Sequence, residues 1–442
     1  MLTKNYSQEK KLILKLLKEK SKPKTGKLLP VVKNVLSKKQ KILKLTKKYP
    51  TPFYAFDPAA LQQAIDSFKT AFNRHLPNYE AFYAVKSNPH SYLIKSVLKN
   101  NLGLDVSSGR ELEIALVHKA KKIIFSGPGK MDWELNLALN NSKKITIHLD
   151  SFGELKRLGQ LAGKRKTKIK VGVRVFTKYH DNWAIKFGIP LVELNHFFKE
   201  AKKYPFLNLA GIQCHKSLNE SAAPYQKMIA EIAGYLKNDF TEAMRQDLQF
   251  VDIGGGFLPY QVDGYYPWDL PQGELIKTTN DYFGKETKFN NRYYLCPSVP
   301  INDYAKGIAK AIKTHFVPIL KNCTYYIEPG RVISTPALSI VLKVLDIKRP
   351  GMAIMDGGIN IVGWEQFESN YFPVINLTRP ALKEMDYKLY GSLCTPDDIW
   401  GYYCYTKKIK EGDIIVVPNQ GAYTYTLAQN FIKPIPEVRI LK

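Results

Sequence analysis

From about residue 51 onward, short apolar runs alternate with stretches whose apolar residues recur every three or four positions. Phe53–Phe56, Tyr79–Val85, Gly103–Val106, Ile123–Phe125, Thr146–Leu149, Lys170–Val175, Ala210–His215, Phe250–Ile253 and Tyr325–Ile327 read as strands. Between most of them lie helical segments such as Glu111–His118, Trp133–Asn140, Phe152–Leu161 and Tyr225–Lys237. Strands that lack polar alternation are buried on both faces, and repeated β-α units of this length predict a parallel sheet closed into a (β/α)8 barrel. An open, doubly wound sheet is the competing arrangement, but no Gly-x-Gly-x-x-Gly opens a helix after the first strand.

The pattern changes after about Pro336. Ala337–Ile347, Ala353–Met355, Ile414–Val417 and Tyr423–Leu427 read as strands joined by Gly, Pro and Asp turns, which predicts a separate, mainly β domain. The expected division is a Lys-rich extension over 1–48, a barrel over 49–334 and a β domain over 335–442. Leu258–Val299 stands apart, rich in Tyr, Pro, Asn and Gly with weak periodicity. A connection of that length inside a compact domain is more often functional or mobile than structural.

Composition adds bounds. The chain has 442 residues, 45% hydrophobic and 24% charged, which is ordinary for a globular protein. No apolar run approaches the roughly 18 residues of a membrane span. The cysteines, Cys214, Cys296, Cys323, Cys394 and Cys404, form no Cys-x-x-Cys pair, as expected of a protein in the reducing cytoplasm. The histidines are scattered and none pairs with a Cys at ligand spacing, so no metal is expected. Of the net charge of +27, about half sits in residues 1–50, where 16 Lys face Glu9 and Glu19 alone. Lys10–Lys20 has the pattern of a short basic amphipathic helix, attracted to anionic membrane or nucleic acid. The plainer reading, a solvated and partly disordered extension, is preferred. The leader lacks arginine and interleaved aromatics, so neither nucleic-acid binding nor membrane contact is expected of it. Lysines interrupt its apolar runs, which argues against a signal peptide.

Three motifs fall at the ends of predicted barrel strands, where such barrels assemble their sites. In Phe82-Tyr-Ala-Val-Lys-Ser-Asn88 a lysine ends an apolar run. It either snorkels to solvent or, desolvated, becomes a Schiff-base nucleophile. In Val251-Asp-Ile-Gly-Gly-Gly-Phe257 three glycines follow a strand, forming either a tight exit or a backbone cradle for phosphate. In Tyr326-Ile-Glu-Pro-Gly-Arg331 a carboxylate ends a strand and an arginine follows the turn, an arrangement also common at plain surface turns.

Taken in order, these pieces resemble the fold-type III pyridoxal-phosphate decarboxylases, the group containing diaminopimelate, ornithine and some arginine decarboxylases. The resemblance runs from about Tyr49 to Phe431. Its further anchors are Tyr49–Asp57, Leu104–Leu112, Val-Arg-Val (173–175), Lys-Phe-Gly (186–188), Leu-Cys-Thr-Pro-Asp-Asp (393–398) and Gly-Ala-Tyr (421–423). It implies an amino-acid decarboxylase with pyridoxal 5'-phosphate on Lys86. Glu328 is then expected at the pyridine nitrogen, His215 on the ring face, and Gly254, Gly255, Gly256, Gly330, Arg331 and Tyr423 around the phosphate. Asp105 and Glu111 are expected near the cofactor, with Arg174 supporting Glu328. Cys394 and Asp398 are expected as catalytic groups supplied by the β domain of a partner subunit, which makes the enzyme a homodimer with shared sites.

Two departures from the family pattern bear on these roles. The His-x-Gly-Ser after the sixth strand is here His215-Lys-Ser-Leu218, which leaves Ser217 as the replacement phosphate contact. The acidic residue that often follows the cysteine is here Thr395. The resemblance gives that acid the task of pairing the distal ammonium of a diamino acid, so its loss points to a conjugated or distally neutral amino acid. Ordinary diaminopimelate, ornithine or lysine decarboxylation is the alternative. A racemase typically has arginine at the ring nitrogen, in place of Glu328. A non-catalytic regulatory homologue is expected to lose Lys86 or Cys394.

Overall fold

The computed structural model describes residues 7–8, 10–12, 15, 28–180, 185–265, 271–286, 294–296, 298–363 and 372–442. The chain forms two compact units. One comprises Ala59–Pro259 and Ser298–Thr335, the other Met1–Pro58, Tyr260–Pro297 and Pro336–Lys442.

The first unit is the expected barrel. Its strands are β1 (Tyr79–Ala84), β2 (Gly103–Val106), β3 (Ile123–Phe125), β4 (Ile145–Leu149), β5 (Ile169–Phe176), β6 (Leu207–Gln213), β7 (Phe250–Asp252) and β8 (Thr324–Ile327). All pair in parallel with their neighbours, and β8 returns to β1 through Tyr325 opposite Tyr79, closing the ring. Helices alternate with the strands, from Pro58–His75 before β1 to Ile301–His315 before β8. Side chains fill the ring: Phe82, Ile124, Ala210, Phe250 and Tyr326 form one buried cluster, with the Phe250 and Tyr326 rings stacked 4.6 Å apart. Phe250 fits because its neighbours are glycines. A Cβ on Gly172 or Gly211 would lie 2.8 or 2.4 Å from its ring. This packed layer supports the strand ends on which the polar residues stand.

The second unit is an eight-stranded, mostly antiparallel sheet. Its central strand Leu338–Arg349 pairs with Phe53–Phe56 on one side and Ile414–Val417 on the other. Phe53–Phe56 is therefore not a barrel strand, although its apolar run reads like one. Tyr423–Leu427, expected as a strand, is a run of turns. Tyr423 has φ +56°, a left-handed conformation incompatible with a ladder. Glu384–Tyr390 and Ile399–Tyr405 were not predicted as strands, although Glu384, Asp386 and Lys388 alternate with Met385, Tyr387 and Leu389.

The extension is not solvated throughout. Helices Leu29–Ser37 and Lys39–Lys48 bury Val32, Val35 and Ile42 against Phe53, Ala55, Val341 and Val416, so residues 28–48 belong to the β unit. Their lysines face outward while a narrow apolar stripe faces the sheet, and charge counting hid that stripe. The expected basic helix over 10–20 lies largely outside the described residues. Within Leu258–Val299, Gly264–Tyr265 pairs with Tyr294–Leu295, and Pro271–Tyr282 is helical. Among the described residues no helix is long and apolar enough to cross a membrane.

Candidate active site

In the barrel unit the polar residues collect at the carboxyl ends of the strands. Lys86 lies in a single turn, Val85–Ser87, directly after β1. That turn is pinned on every side. Ser87 Oγ donates to the Ala84 carbonyl at 2.8 Å, and the Ala84 N–H donates to the Pro329 carbonyl at 3.1 Å. Gly330 packs so closely that a Cβ there would lie 3.1 Å from Ala84 and 3.2 Å from Ser87. The third motif thus buttresses the first, with Gly330 packed against Ala84 and Ser87.

Lys86 Nζ stands 3.9 Å from Asp105 Oδ2. Asp105 is fully buried on β2, and its other oxygen accepts from Ser126 Oγ at 2.6 Å. Burial and then the Glu328 charge push the Asp105 carboxyl up to about 7, against the pull of Lys86. Glu111 accepts the Ser107 N–H at 2.8 Å and is raised by burial.

Glu328, one residue past β8, is buried and receives Gln213 Nε2 on Oε1 at 3.3 Å. His215 Nδ1 lies 3.4 Å from its Oε2. Burial disfavours the Glu328 charge, but contact with His215 and the proximity of Lys86 and His148 outweigh it, and the carboxyl stays well below the usual range. Asp252, at the end of β7, is its counterpart. One Asp252 oxygen accepts the Gly254 N–H at 2.8 Å, while the other has no hydrogen-bond partner among the described residues and faces His148 Nε2 at 3.8 Å. Ligand-type atoms of His148, Asp252 and Glu328 all lie within 4.8 Å of one another. Two carboxylates that close in a dry interior do not both ionise. Burial together with the Glu328 charge drives the Asp252 carboxyl far upward. Burial likewise lowers His148 to about 3.

The Gly254–Gly256 turn follows β7, with Gly254 and Gly256 at φ +71° and +88°. A Cβ would meet His215 Nδ1 at 2.6 Å from Gly254, the Glu328 carbonyl at 2.1 Å from Gly255, and the Lys216 carbonyl at 2.2 Å from Gly256. Only glycine fits at any of the three. The turn is tied to its surroundings: Gly255 N–H donates to His215 Nδ1 at 3.0 Å, and Tyr225 Oη donates to the Gly255 carbonyl at 2.6 Å. Burial lowers His215 to about 4, against Glu328. Ser217 Oγ sits 3.3 Å from His215 Nε2, so its hydroxyl addresses that ring. Arg331 opens the short helix Arg331–Ser334 just beyond Gly330.

The expected Arg174 support for Glu328 is not found among the ion pairs of the described residues. The Arg174 guanidinium lies over the Phe187 ring at 4.5 Å, and Gln213 makes the bond to Glu328 instead. Gln213 and Asp252 were not predicted. A single polar residue inside an apolar strand carries no spacing signal, although Asp252 lies within the glycine motif.

In the β unit, Cys394 is exposed on the Gly391–Asp398 loop. Asp398 was expected beside it as a catalytic group, but it is buried, with Oδ2 accepting the Leu393 N–H at 2.6 Å and Oδ1 the Ile359 N–H at 2.8 Å. A carboxylate with both oxygens committed to backbone is a brace. Thr395 and Asp397 share the loop, with the Asp397 N–H 3.4 Å from Thr395 Oγ1. Tyr423 is half-buried in the same unit.

The donor set of the barrel unit fits pyridoxal phosphate. A glycine turn that admits no side chain suits a phosphate, a charged buried carboxylate suits a protonated ring nitrogen, and a lysine beside a buried acid suits a covalent anchor.

Residues 61–335 match the model of the family described as "Pyridoxal-dependent decarboxylase, pyridoxal binding domain". The chain is 24% identical over 405 residues to a diaminopimelate decarboxylase of Aquifex aeolicus, covering 88% of this chain and 85% of that protein. It is 26% identical over 407 residues to one of Vibrio cholerae, covering 88% and 86%. Among solved structures, the diaminopimelate decarboxylase of M. jannaschii in complex with L-lysine is similar with a TM-score of 0.74 at 20% identity, covering 90% of this chain and 89% of that one. The lysine/ornithine decarboxylase of Vibrio vulnificus complexed with putrescine gives 0.71 at 20% identity, covering 91% and 97%.

Proposed function

This chain belongs to the pyridoxal-dependent decarboxylase family and is an enzyme that uses pyridoxal phosphate to release carbon dioxide from an amino acid, and on that premise we propose the residues that do the work and the class of substrate. Lys86 anchors the cofactor, with Asp105 Oδ2 beside Nζ to receive its proton. Glu328 holds a proton on the ring nitrogen, and His215 covers the ring face. Gly254, Gly255, Gly256 and Arg331 bind the phosphate from the barrel unit, joined by Tyr423. When bound, the pyridine ring supplies the sink for the electrons that carbon dioxide leaves behind. Glu328 is suited to this because its carboxyl is held well below the usual range while that of Asp252 beside it is raised. Cys394 orients the departing carboxylate or returns a proton, from the partner subunit of a cytoplasmic homodimer.

The substrate is an amino acid whose far end is neutral or conjugated. The observation that carries this is the Cys394 loop. Thr395 has no charge, Asp398 has both oxygens on backbone N–H groups, and Asp397 is exposed as the one remaining acid. Losing a buried charge-assisted contact costs about 1.5–3 kcal/mol, roughly 10- to 100-fold in affinity. A free diamino acid is the second reading, favoured by the diaminopimelate decarboxylases among the similar proteins. The deciding measurement is kcat/KM for carbon dioxide release across free diamino acids and their distally acylated counterparts. Faster turnover of the neutral group is expected. A value above about 10⁴ M⁻¹s⁻¹ on diaminopimelate, ornithine or lysine, within the usual physiological range, would establish the second reading.

A further inference from the structure

We propose that Asp398 is a positioning residue that fixes the Cys394 thiol; the inference rests on the reading that Cys394 takes part in the reaction. The loop carrying Cys394 joins strands Glu384–Tyr390 and Ile399–Tyr405. Its base is closed by the Gly391 N–H donating to the Asp398 carbonyl at 2.9 Å. Inside the loop the Asp398 carboxylate takes the N–H of Leu393, the residue immediately before Cys394, at 2.6 Å. The Asp398 N–H donates to the Thr395 carbonyl at 3.3 Å, on the other side of Cys394. One residue therefore holds the backbone on both flanks of the cysteine.

The other carboxylate oxygen reaches out of the loop to the Ile359 N–H at 2.8 Å, coupling Cys394 to the turn that begins at Asp356. Two glycines make room for it. A Cβ on Gly391 would lie 2.2 Å from the carboxylate, and one on Gly358 would lie 2.8 Å from it. A second tier ties the same two segments. Ser392 Oγ donates to the Asp356 carbonyl at 3.2 Å, Lys433 Nζ donates to Ser392 Oγ at 2.6 Å, and Trp400 Nε1 donates to the Gly357 carbonyl at 2.8 Å. Asparagine cannot replace the aspartate, since one of its two polar ends is a donor and would face a backbone N–H. The carboxylate is buried within the unit and points inward, which assigns it to the loop and not to the reacting atoms.

The test uses the holoenzyme with D398N, C394A and the double variant, reading kcat, KM, cofactor absorbance and the rate at which iodoacetamide labels Cys394, followed by peptide mass spectrometry. Displacing a catalytic group by an ångström costs up to about 100-fold, so D398N should lower kcat at least about 10-fold with KM within about threefold. The cofactor absorbance should be unchanged and Cys394 labelling altered at least about threefold, a readout that general destabilisation with retained cofactor would not move. The double variant should match C394A. Wild-type labelling of Cys394 in D398N, or a double variant slower than C394A by the full D398N factor, would overturn the proposal. Wild-type turnover in C394A removes the catalytic reading of the cysteine, and the labelling rate still decides whether Asp398 fixes it. Should D398N not fold, S392A loosens the same loop from outside, and unchanged labelling there also overturns the proposal.

Discussion

The two units hold their chemistry in place by different means. In the barrel, Asp105, Gln213 and Asp252 lie on strands, and Lys86, His215 and Glu328 follow within two residues of a strand end. Sheet register sets their spacing, and the stacked Phe250 and Tyr326 rings stiffen the layer beneath. In the β unit, Cys394 and Tyr423 stand on a loop and a turn, where no ladder fixes them. Backbone N–H groups bonded to the Asp398 carboxylate hold the first, and the second sits at a left-handed φ in a run of turns. The lesson is a division of labour. Groups that must share a proton or a charge across a few ångströms are built on strands, while a group that acts by approach is built on a braced loop.

The sharpest way to break this comparison is to insert a methyl group where the barrel unit admits none. In Gly255→Ala the new carbon would lie 2.1 Å from the Glu328 carbonyl. Forcing extra volume into a close-packed site costs about 1–3 kcal/mol, so cofactor affinity should fall about 10- to 100-fold. Absorbance titration of the apoenzyme with pyridoxal phosphate measures it. By contrast, the β-unit change Asp398→Asn is expected to leave cofactor binding intact. If both variants lose cofactor equally, the division of labour is wrong.

Asp252→Asn sharpens the comparison with a smaller effect. The Asp105 and Asp252 carboxyls are both raised in the folded barrel, Asp105 to about 7. A raised carboxyl binds its proton more tightly when folded. It therefore costs no stability below its unfolded pKa, and an increasing amount as pH climbs from about 4 through the folded value. The thermal midpoint of the cofactor-free protein should fall between pH 5 and pH 8, and Asp252→Asn should flatten that slope, raising the midpoint more at pH 8 than at pH 5. Midpoints of the two proteins across that range decide it. A slope as steep in the variant as in the native protein would mean that Asp252 is ionised.

The same contrast governs how much could be read from the sequence. Lys86, the three glycines and Glu328 were legible because each interrupts or ends an apolar run, and strand ends are where barrels place their sites. Gln213 and Asp252 were not, because their roles arise only when β6, β7 and β8 lie side by side. Phe53–Phe56 reads as a buried strand and is one, but its partner Leu338–Val341 lies nearly three hundred residues away. Local pattern carries no information about such a pairing. Asp398 was legible from its motif but its bonds to the Leu393 and Ile359 N–H groups were not, since a motif records that a carboxylate is present and not which way it points. The extension was misjudged for residues 28–48 because four buried side chains, Leu28, Val32, Val35 and Ile42, are outnumbered by lysines.

The central claim is that Lys86 anchors pyridoxal phosphate, and borohydride reduction of the holoenzyme followed by peptide mass spectrometry tests it most directly. The reduced protein should carry one pyridoxyl phosphate group, on the peptide containing Lys86, and Lys86→Ala should carry none there and release no carbon dioxide above background. A pyridoxyl group mapped to another lysine, or a Lys86→Ala protein that traps the cofactor as fully as the native one, would contradict the account.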